Sequence, residues 1–175
     1  MTGLAKILVP VDFSEDSAEA LQYAASLAEK TKAQLVALHV AQKRDADSFL
    51  EPLAVLEGAP ASPQRAGIPV DRLLREKALD LYRFIEKVLG NSGKLKMARK
   101  VALGDKAEKI IETVKEENID LLVLAVPRRS FFSHVASRGK LLRMISKCPC
   151  PVVVKPLFGQ PSAPVLGRSP LTANV

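Results

Sequence analysis

The segment Lys6–Val40 constrains the fold more than any other part of the chain. Ile7–Val11 is a short, almost wholly apolar run, which predicts a strand buried on both faces. Ser14 stands where a helix N-cap belongs, and an amphipathic stretch follows it, acidic at its start and rich in lysine at its end. Gln34–Val40 is a second apolar run. Because parallel strands need a crossover of about a dozen residues, the segment predicts a βαβ unit with a ligand-binding loop after its first strand.

The remaining chain continues the alternation of helical and strand patterns. Apolar periodicity predicts three further helices and three further strands, in the order Val70–Leu89 (helix), Lys94–Leu103 (strand), Lys106–Glu117 (helix), Ile119–Val126 (strand), Gly139–Lys147 (helix) and Pro151–Val154 (strand). The proline-rich stretch Ala41–Pro69 is predicted to be mostly loop, with a short helix in Asp47–Glu57. Together these elements predict an α/β fold: an open five-stranded parallel sheet in the order 3-2-1-4-5, with helices on both faces.

The length of 175 residues fits one domain, and an apolar content of 47% argues against disorder. We expect the domain to span residues 1–156. Residues 157–175 are rich in proline and lack apolar periodicity, so we expect a disordered tail that folding does not require. No apolar run approaches the roughly 20 residues that span a bilayer, and the start of the chain lacks the apolar core of a secretion signal. We therefore expect a cytoplasmic protein that does not enter the membrane.

The two cysteines, Cys148 and Cys150, flank Pro149. Their spacing makes a disulfide unexpected, which fits a reducing compartment. A metal site is not expected either, because the chain has no other cysteine and both histidines lie far away in sequence. One of these histidines, His39, falls in the middle of a strand-like run, and a lone histidine is more often packed or exposed than catalytic.

The net charge of +7 comes from the C-terminal third of the chain. All 19 acidic residues lie at or before Asp120, whereas eight of the 26 basic residues follow it with no acid among them. Such a block attracts anions, whether nucleotide phosphates, nucleic acid or an acidic partner. A solvated basic helix face explains the same pattern without any ligand.

Five short motifs occur along the chain, between roughly residues 4 and 155. They are a strand end Val9-Pro10-Val11-Asp12-Phe13-Ser14, a strand ending in His39-Val40, a turn Gly104-Asp105-Lys106-Ala107-Glu108, a strand Ile119 to Leu124 and a last strand Cys150 to Val154. In their order and spacing these motifs resemble the universal stress protein family. The resemblance implies a Rossmann-like fold of the adenine nucleotide alpha hydrolase-like type. It also implies a homodimer that pairs through the edge of the last strand, at Pro151, Val152, Val153 and Val154.

The resemblance further implies where an adenine nucleotide, ATP or AMP, would bind. Asp12 would face the adenosine, and Pro10, Val11 and Val40 would line the base pocket. Asp12 has an equally simple alternative role, which is to cap the following helix or fix its loop. The remaining site residues would be Ala125 and, in the basic loop 126–140, Arg128, Arg129, Gly139 and Lys140.

The phosphate loop departs from the family's nucleotide-binding pattern, G-x2-G-x9-G-S/T. Counting back from Pro151, the spacing fits without a gap, but Ala125, Arg128 and Arg138 stand at the three glycine positions, and Gly139 comes one place late. Glycines in such loops let backbone N–H groups approach phosphates. Arg128 is the severe change, since its side chain occupies the space that a phosphate needs.

Two interpretations follow. In the first, Arg128, Arg129 and Lys140 keep an anion site through charge-assisted contacts. In the second, the nucleotide site is lost, as the resemblance to the universal stress protein A branch of the family implies, because members of that branch lack the glycine pattern. We favour loss. The sequence holds no motif for nucleophilic or metal-assisted catalysis, so we expect no enzyme and no required cofactor. The leading hypothesis is a dimeric stress-response or regulatory protein; the alternatives are a nucleotide-binding sensor and, less favoured, a binder of nucleic acid or an acidic partner.

Overall fold

The computed structural model describes residues 3–42, 70–90, 95–126 and 142–156. Along the chain the elements are β1 (Lys6–Pro10), α1 (Glu15–Thr31), β2 (Gln34–Ala41), α2 (Val70–Leu89), β3 (Met97–Leu103), α3 (Lys106–Glu116), β4 (Leu121–Val126), a short helix α4 (142–147) and β5 (Val152–Pro156). None of the helices in these ranges is long and apolar enough to cross a membrane.

The strands form one parallel sheet in the order β3-β2-β1-β4-β5, which confirms the predicted topology. The register places β1 at the centre, with Ile7 opposite Leu35 of β2 and opposite Leu121 of β4. Starting from β1, the chain adds β2 and then β3 on one side of it. It then crosses back and adds β4 and β5 on the other side of β1. The topological switch point therefore lies between β1 and β4.

The sheet is buried on both faces because successive residues of its central strands point into two different cores. On one face Ile7 and Val9 pack with residues of α1 and α2. On the other face Leu8 packs with residues of α3 and with Met144 of α4. This arrangement confirms the prediction of helices on both faces, and it follows from a strand that is apolar at every position.

Helix α1 begins as predicted. Ser14 is its N-cap, and the Ser14 hydroxyl accepts a hydrogen bond of 3.1 Å from the amide of Ser17. The helix ends at Lys32, which adopts the left-handed conformation (φ 58°) that closes many helices. Both ends of α1 are thus specified locally.

Several boundaries differ from the sequence prediction by a few residues. β4 begins at Leu121 instead of Ile119, because the Asp120 carboxylate turns back and accepts hydrogen bonds of 2.9 Å from the amides of Ala5 and Lys6. β5 runs two residues beyond Val154, because Lys155 and Pro156 still pair with β4. β1 (Lys6–Pro10), β3 (Met97–Leu103) and α3 (Lys106–Glu116) shift by one to three residues. The predicted helix in 47–57, the start of the last helix at 139–141 and the tail 157–175 lie outside the described residues.

Truncating a side chain in the core between the sheet and helices α3 and α4 tests this packing. Leu122 is fully buried, so Leu122→Ala should lower the free energy of unfolding by about 2–5 kcal/mol through lost burial and a residual cavity. Leu79 on α2 is the control, since it is 56% exposed and Leu79→Ala should cost less than about 0.5 kcal/mol. Urea denaturation measures both values. Equal costs for the two variants would contradict the assigned burial.

Candidate functional site

The carboxyl end of β1 is the centre of the candidate site. Residues 11–14 leave the sheet beside the switch point, where open α/β sheets bind ligands. The carboxyl ends of β2 and β3 open at the same edge, because all five strands are parallel. Side chains from three separate parts of the chain therefore meet at this edge.

Asp12 is held in a defined position by two partners. Its Oδ1 accepts hydrogen bonds from the hydroxyl (2.5 Å) and the amide (3.3 Å) of Ser14, and its Oδ2 accepts one of 3.2 Å from Nζ of Lys106. The carboxylate is about half exposed. The alternative role of Asp12, fixing the loop that enters α1, is therefore visible in the structure, while one side of the carboxylate still faces solvent.

Lys106 reaches Asp12 because the turn after β3 starts a helix at this edge of the sheet. Gly104 makes the turn with φ 146°, a conformation that other residues rarely adopt, and its amide donates to the Ala41 carbonyl oxygen at 3.0 Å. Asp105 then caps α3, accepting hydrogen bonds from the amides of Ala107 and Glu108. Lys106 is the first residue of the helix.

Sequence reasoning missed Lys106 as a partner of Asp12, from which 94 residues separate it. The Gly104-Asp105 turn was the available indication, since it predicts a helix beginning directly after a parallel strand. In a parallel sheet such a start lies at the same edge as the end of β1.

The pKa of the Asp12 carboxyl is lowered from 3.8 to about 2. Partial burial acts in the opposite direction, but the hydrogen bonds from Ser14 and the positive charge of Lys106 together outweigh it. Asp12 is thus a carboxylate throughout the physiological pH range. With so low a pKa it is a weak base at neutral pH, suited to accepting hydrogen bonds and poorly suited to removing protons.

Phe13, between Asp12 and Ser14, adopts a left-handed backbone conformation with φ 64°. Its ring lies 4.3 Å from the His39 ring and 5.6 Å, edge-on, from the Phe84 ring, counting between centroids. Nδ1 of His39 donates a hydrogen bond of 2.8 Å to the Val11 carbonyl oxygen. His39 is buried, so the structure shows the packed one of the two placements, packed or exposed, that the sequence left open. The aromatic contacts stabilise a backbone geometry that costs a non-glycine residue about 1–3 kcal/mol.

The other predicted site residues are only partly brought together. Pro10 and Val11 are buried at the end of β1, and Val40 is buried at the end of β2, but the Val11 and Val40 side chains belong to the cores on opposite faces of the sheet. Ala125 is half-buried near the end of β4, opposite Lys155 of β5. Arg128, Arg129, Gly139 and Lys140, together with Arg138, lie outside the described residues. Their placement around a nucleotide stays a prediction.

Among the residues that the structure describes, no three His, Cys, Asp or Glu side chains come together as a metal site would require. The site instead consists of the Asp12 carboxylate, the Lys106 ammonium and the Ser14 hydroxyl, at the carboxyl ends of the parallel strands. This fold and site define a doubly wound α/β protein with a cluster of polar side chains beside its switch point.

The chain belongs to the universal stress protein family, whose model matches residues 3–156. A curated relative, Universal stress protein MJ0531 from Methanocaldococcus jannaschii, is 25% identical over 149 residues, which cover 85% of this chain and 80% of the relative. The resemblance inferred from the five motifs is thereby confirmed.

Solved structures of the family share the fold. A universal stress protein family protein from Arabidopsis thaliana with AMP bound aligns with a TM-score of 0.55 at 17% identity, over 92% of this chain and 97% of the other. A universal stress protein in complex with cAMP aligns with a TM-score of 0.53 at 17% identity, over 87% of this chain and 97% of the other. At these identities the likeness establishes the fold alone.

Removing Lys106 tests the electrostatics of the site. Lys106→Met should raise the pKa of Asp12 above about 2. Lys109→Met is the control and should leave the pKa of Asp12 unchanged, because Lys109 pairs with Glu112. Carbon-13 NMR of the carboxyl groups reads both values. Since the ion pair is exposed, the loss of stability at neutral pH should stay below about 1 kcal/mol.

The sign of the pH dependence follows from the lowered pKa. The contribution of Asp12 to stability is fully present above its ordinary pKa of 3.8 and is lost as the pH falls through about 2. Lys106→Met should weaken this acid dependence between those two values. An unchanged Asp12 titration in Lys106→Met would show that the ion pair does not form in solution.

Proposed function

We propose that this protein is a non-catalytic, regulatory member of the universal stress protein family whose adenine-nucleotide site has lost its phosphate cradle. The observation that carries the proposal is the replacement of all three glycines of the nucleotide-binding pattern, by Ala125, Arg128 and Arg138. Backbone N–H groups approach a phosphate closely only where no side chain intervenes, and an arginine also makes any left-handed backbone geometry costly.

The geometry around Asp12 supports this proposal. Both carboxylate oxygens already accept hydrogen bonds within the protein, from Ser14 and from Lys106. A ribose hydroxyl would have to compete with the Lys106 ammonium for Oδ2, which lowers the affinity gained from that contact. The low pKa of Asp12 and the packed ring of His39 also leave these two groups poorly suited to acid–base catalysis.

A second candidate function is adenine-nucleotide sensing. It is favoured by family structures that hold AMP and cAMP. It also fits the basic loop, in which Arg128, Arg129 and Lys140 would bind phosphate oxygens through their side chains in place of backbone contacts. Under this alternative Asp12 would bind the ribose, and ATP or AMP would be the ligand.

ATP binding decides between the two functions. If the cradle is lost, the dissociation constant of ATP should be about 1 mM or weaker, and submillimolar ATP should leave the melting temperature unchanged. The triple variant Ala125→Gly, Arg128→Gly, Arg138→Gly should bind ATP about tenfold more tightly or better, because steric release opens the loop. Isothermal titration calorimetry and thermal shift measure both proteins.

The matched control keeps the bulk but removes the same two charges: Ala125→Gly, Arg128→Gln, Arg138→Gln. Steric exclusion predicts that only the glycine triple gains affinity, whereas electrostatic attraction predicts that both triples lose it. Micromolar ATP binding by the unchanged protein, abolished by Arg128→Ala, would overturn the proposal and establish the arginines as ligands.

We further propose that the protein forms a homodimer through the outer edge of β5. The two edge strands of the sheet differ in character. β3 carries Arg99 and Lys100, and the Arg99 guanidinium lies 5.0 Å above the Tyr82 ring, so this edge is charged and partly covered. β5 begins with three valines, and Val154 is 37% exposed. Charged edges resist pairing with another chain, whereas an apolar edge favours it.

A charge placed on the β5 edge should break the dimer. Val154→Asp should convert it to a monomer at micromolar concentration, since a carboxylate would be buried against its two-fold mate. Val70→Asp is the matched control, because Val70 is also an exposed valine but lies at the start of α2. Sedimentation velocity reads the oligomeric state. A monomeric unchanged protein, or a dimer that survives Val154→Asp, would contradict this interface.

A further inference from the structure

The two cysteine sulfurs are in contact. Sγ of Cys148 and Sγ of Cys150 lie 3.5 Å apart, within hydrogen-bonding distance for thiols. Both residues are half-buried and both thiols are free. The two-residue spacing gave no reason to expect a disulfide, but the fold around Pro149 turns both side chains toward each other.

The pair joins two elements of the fold. The amide of Cys148 donates to the Ile145 carbonyl oxygen (3.2 Å) at the end of α4. Cys150 immediately precedes Pro151, whose carbonyl oxygen accepts from the amide of Leu122 (3.0 Å) where β5 joins β4. Both cysteines pack against the core on the α3 face. The sulfur positions are therefore fixed from both sides of Pro149, which keeps them within reach of one another.

The Cys148 sulfur affects the ionisation of its neighbour. Burial first, and then the hydrogen bond and negative charge of Cys148, raise the pKa of the Cys150 thiol to about 12. Cys150 therefore stays a thiol at neutral pH, in hydrogen-bonding distance of the Cys148 sulfur. Because the two sulfurs are in contact, one can attack an oxidant while the second is in place to resolve whatever the first one forms.

We propose that Cys148 and Cys150 form a dithiol switch that a hydroperoxide converts into an intramolecular disulfide. The Cys148 thiolate attacks the terminal peroxide oxygen, the O–O bond breaks, and the leaving alkoxide or hydroxide takes up a proton, giving a sulfenic acid on Cys148. The Cys150 sulfur then attacks the Cys148 sulfur, forming the S–S bond and releasing water. In total one peroxide is reduced by two electrons and two thiols are oxidised to one disulfide, which a dithiol reductant reverses.

Two features favour this chemistry over metal binding. Structural zinc sites use four protein ligands, and no third ligand adjoins the pair among the residues that the structure describes. Disulfide formation needs only the two sulfurs, which must close from 3.5 Å to about 2.0 Å. The bond would connect the end of α4 to the start of β5, next to the ladder that β5 forms with β4. This inference is independent of the nucleotide site.

Oxidation of the full-length chain tests the switch. The reduced protein is treated with hydrogen peroxide in slight molar excess, alkylated with iodoacetamide and weighed intact. We expect the mass to fall by two hydrogen atoms, with both alkylation sites lost together and restored by dithiothreitol. Peptide mapping should place the bond between Cys148 and Cys150, and circular dichroism should show that the oxidised chain remains folded.

Cys148→Ser and Cys150→Ser are the matched variants. Cys150→Ser should accumulate sulfenic acid, which dimedone traps. Cys148→Ser should react with peroxide at least tenfold more slowly, because partial burial raises the pKa of its remaining thiol, Cys150. Disulfides between chains, over-oxidation of one cysteine in the unchanged protein, or persistence of both free thiols would each overturn the proposal. Equal peroxide reactivity of the two single variants would overturn the assignment of Cys148 as the attacking sulfur.

Discussion

Burial of the central strand on both faces is the constraint on which the rest of the structure depends. Ile7 and Val9 enter one core and Leu8 enters the other, so helices must cover both faces of the sheet. The crossover connections place β2 and β3 on one side of β1, and β4 and β5 on the other. The crevice at the end of β1 is a consequence of that arrangement and exists before any functional residue is considered.

Charged side chains from distant parts of the chain meet at this crevice. Asp12 follows β1 and Lys106 follows β3, and the parallel direction of the strands brings both to one edge. Against the effect of partial burial, the hydrogen bonds from Ser14 and the ion pair with Lys106 together lower the pKa of Asp12. The ion pair also occupies one carboxylate oxygen. Solved structures of the family include complexes with AMP and cAMP. The proposed loss of the phosphate cradle in this chain rests on that occupied carboxylate and on the residues that stand at the three glycine positions of the loop, Ala125, Arg128 and Arg138.

β5 and the residues just before it carry two features on which the proposals rest, a valine-rich edge strand and a pair of thiols. The strand begins with three valines before Lys155, whereas the opposite edge strand carries Arg99 and Lys100. Two thiols in contact precede its start. Its hydrogen-bonded side is anchored to β4. The proposed dimer contact would use the free backbone edge, while the thiols pack against the face that α3 covers.

Local pattern alone determined most of the fold. The apolar run of β1, the cap at Ser14 and the periodicity of Val70–Leu89 each act through neighbouring residues, so the elements, their order in the sheet and the family could be predicted. Contacts between residues far apart in sequence were decided by the tertiary structure: the Lys106–Asp12 pair, the stacking of Phe13 on His39 and the turn at Asp120. The contact between Cys148 and Cys150 was also decided by the tertiary structure, although the two residues are close in sequence. Their spacing was visible in the sequence, but the direction of their side chains depends on how α4 and β5 pack.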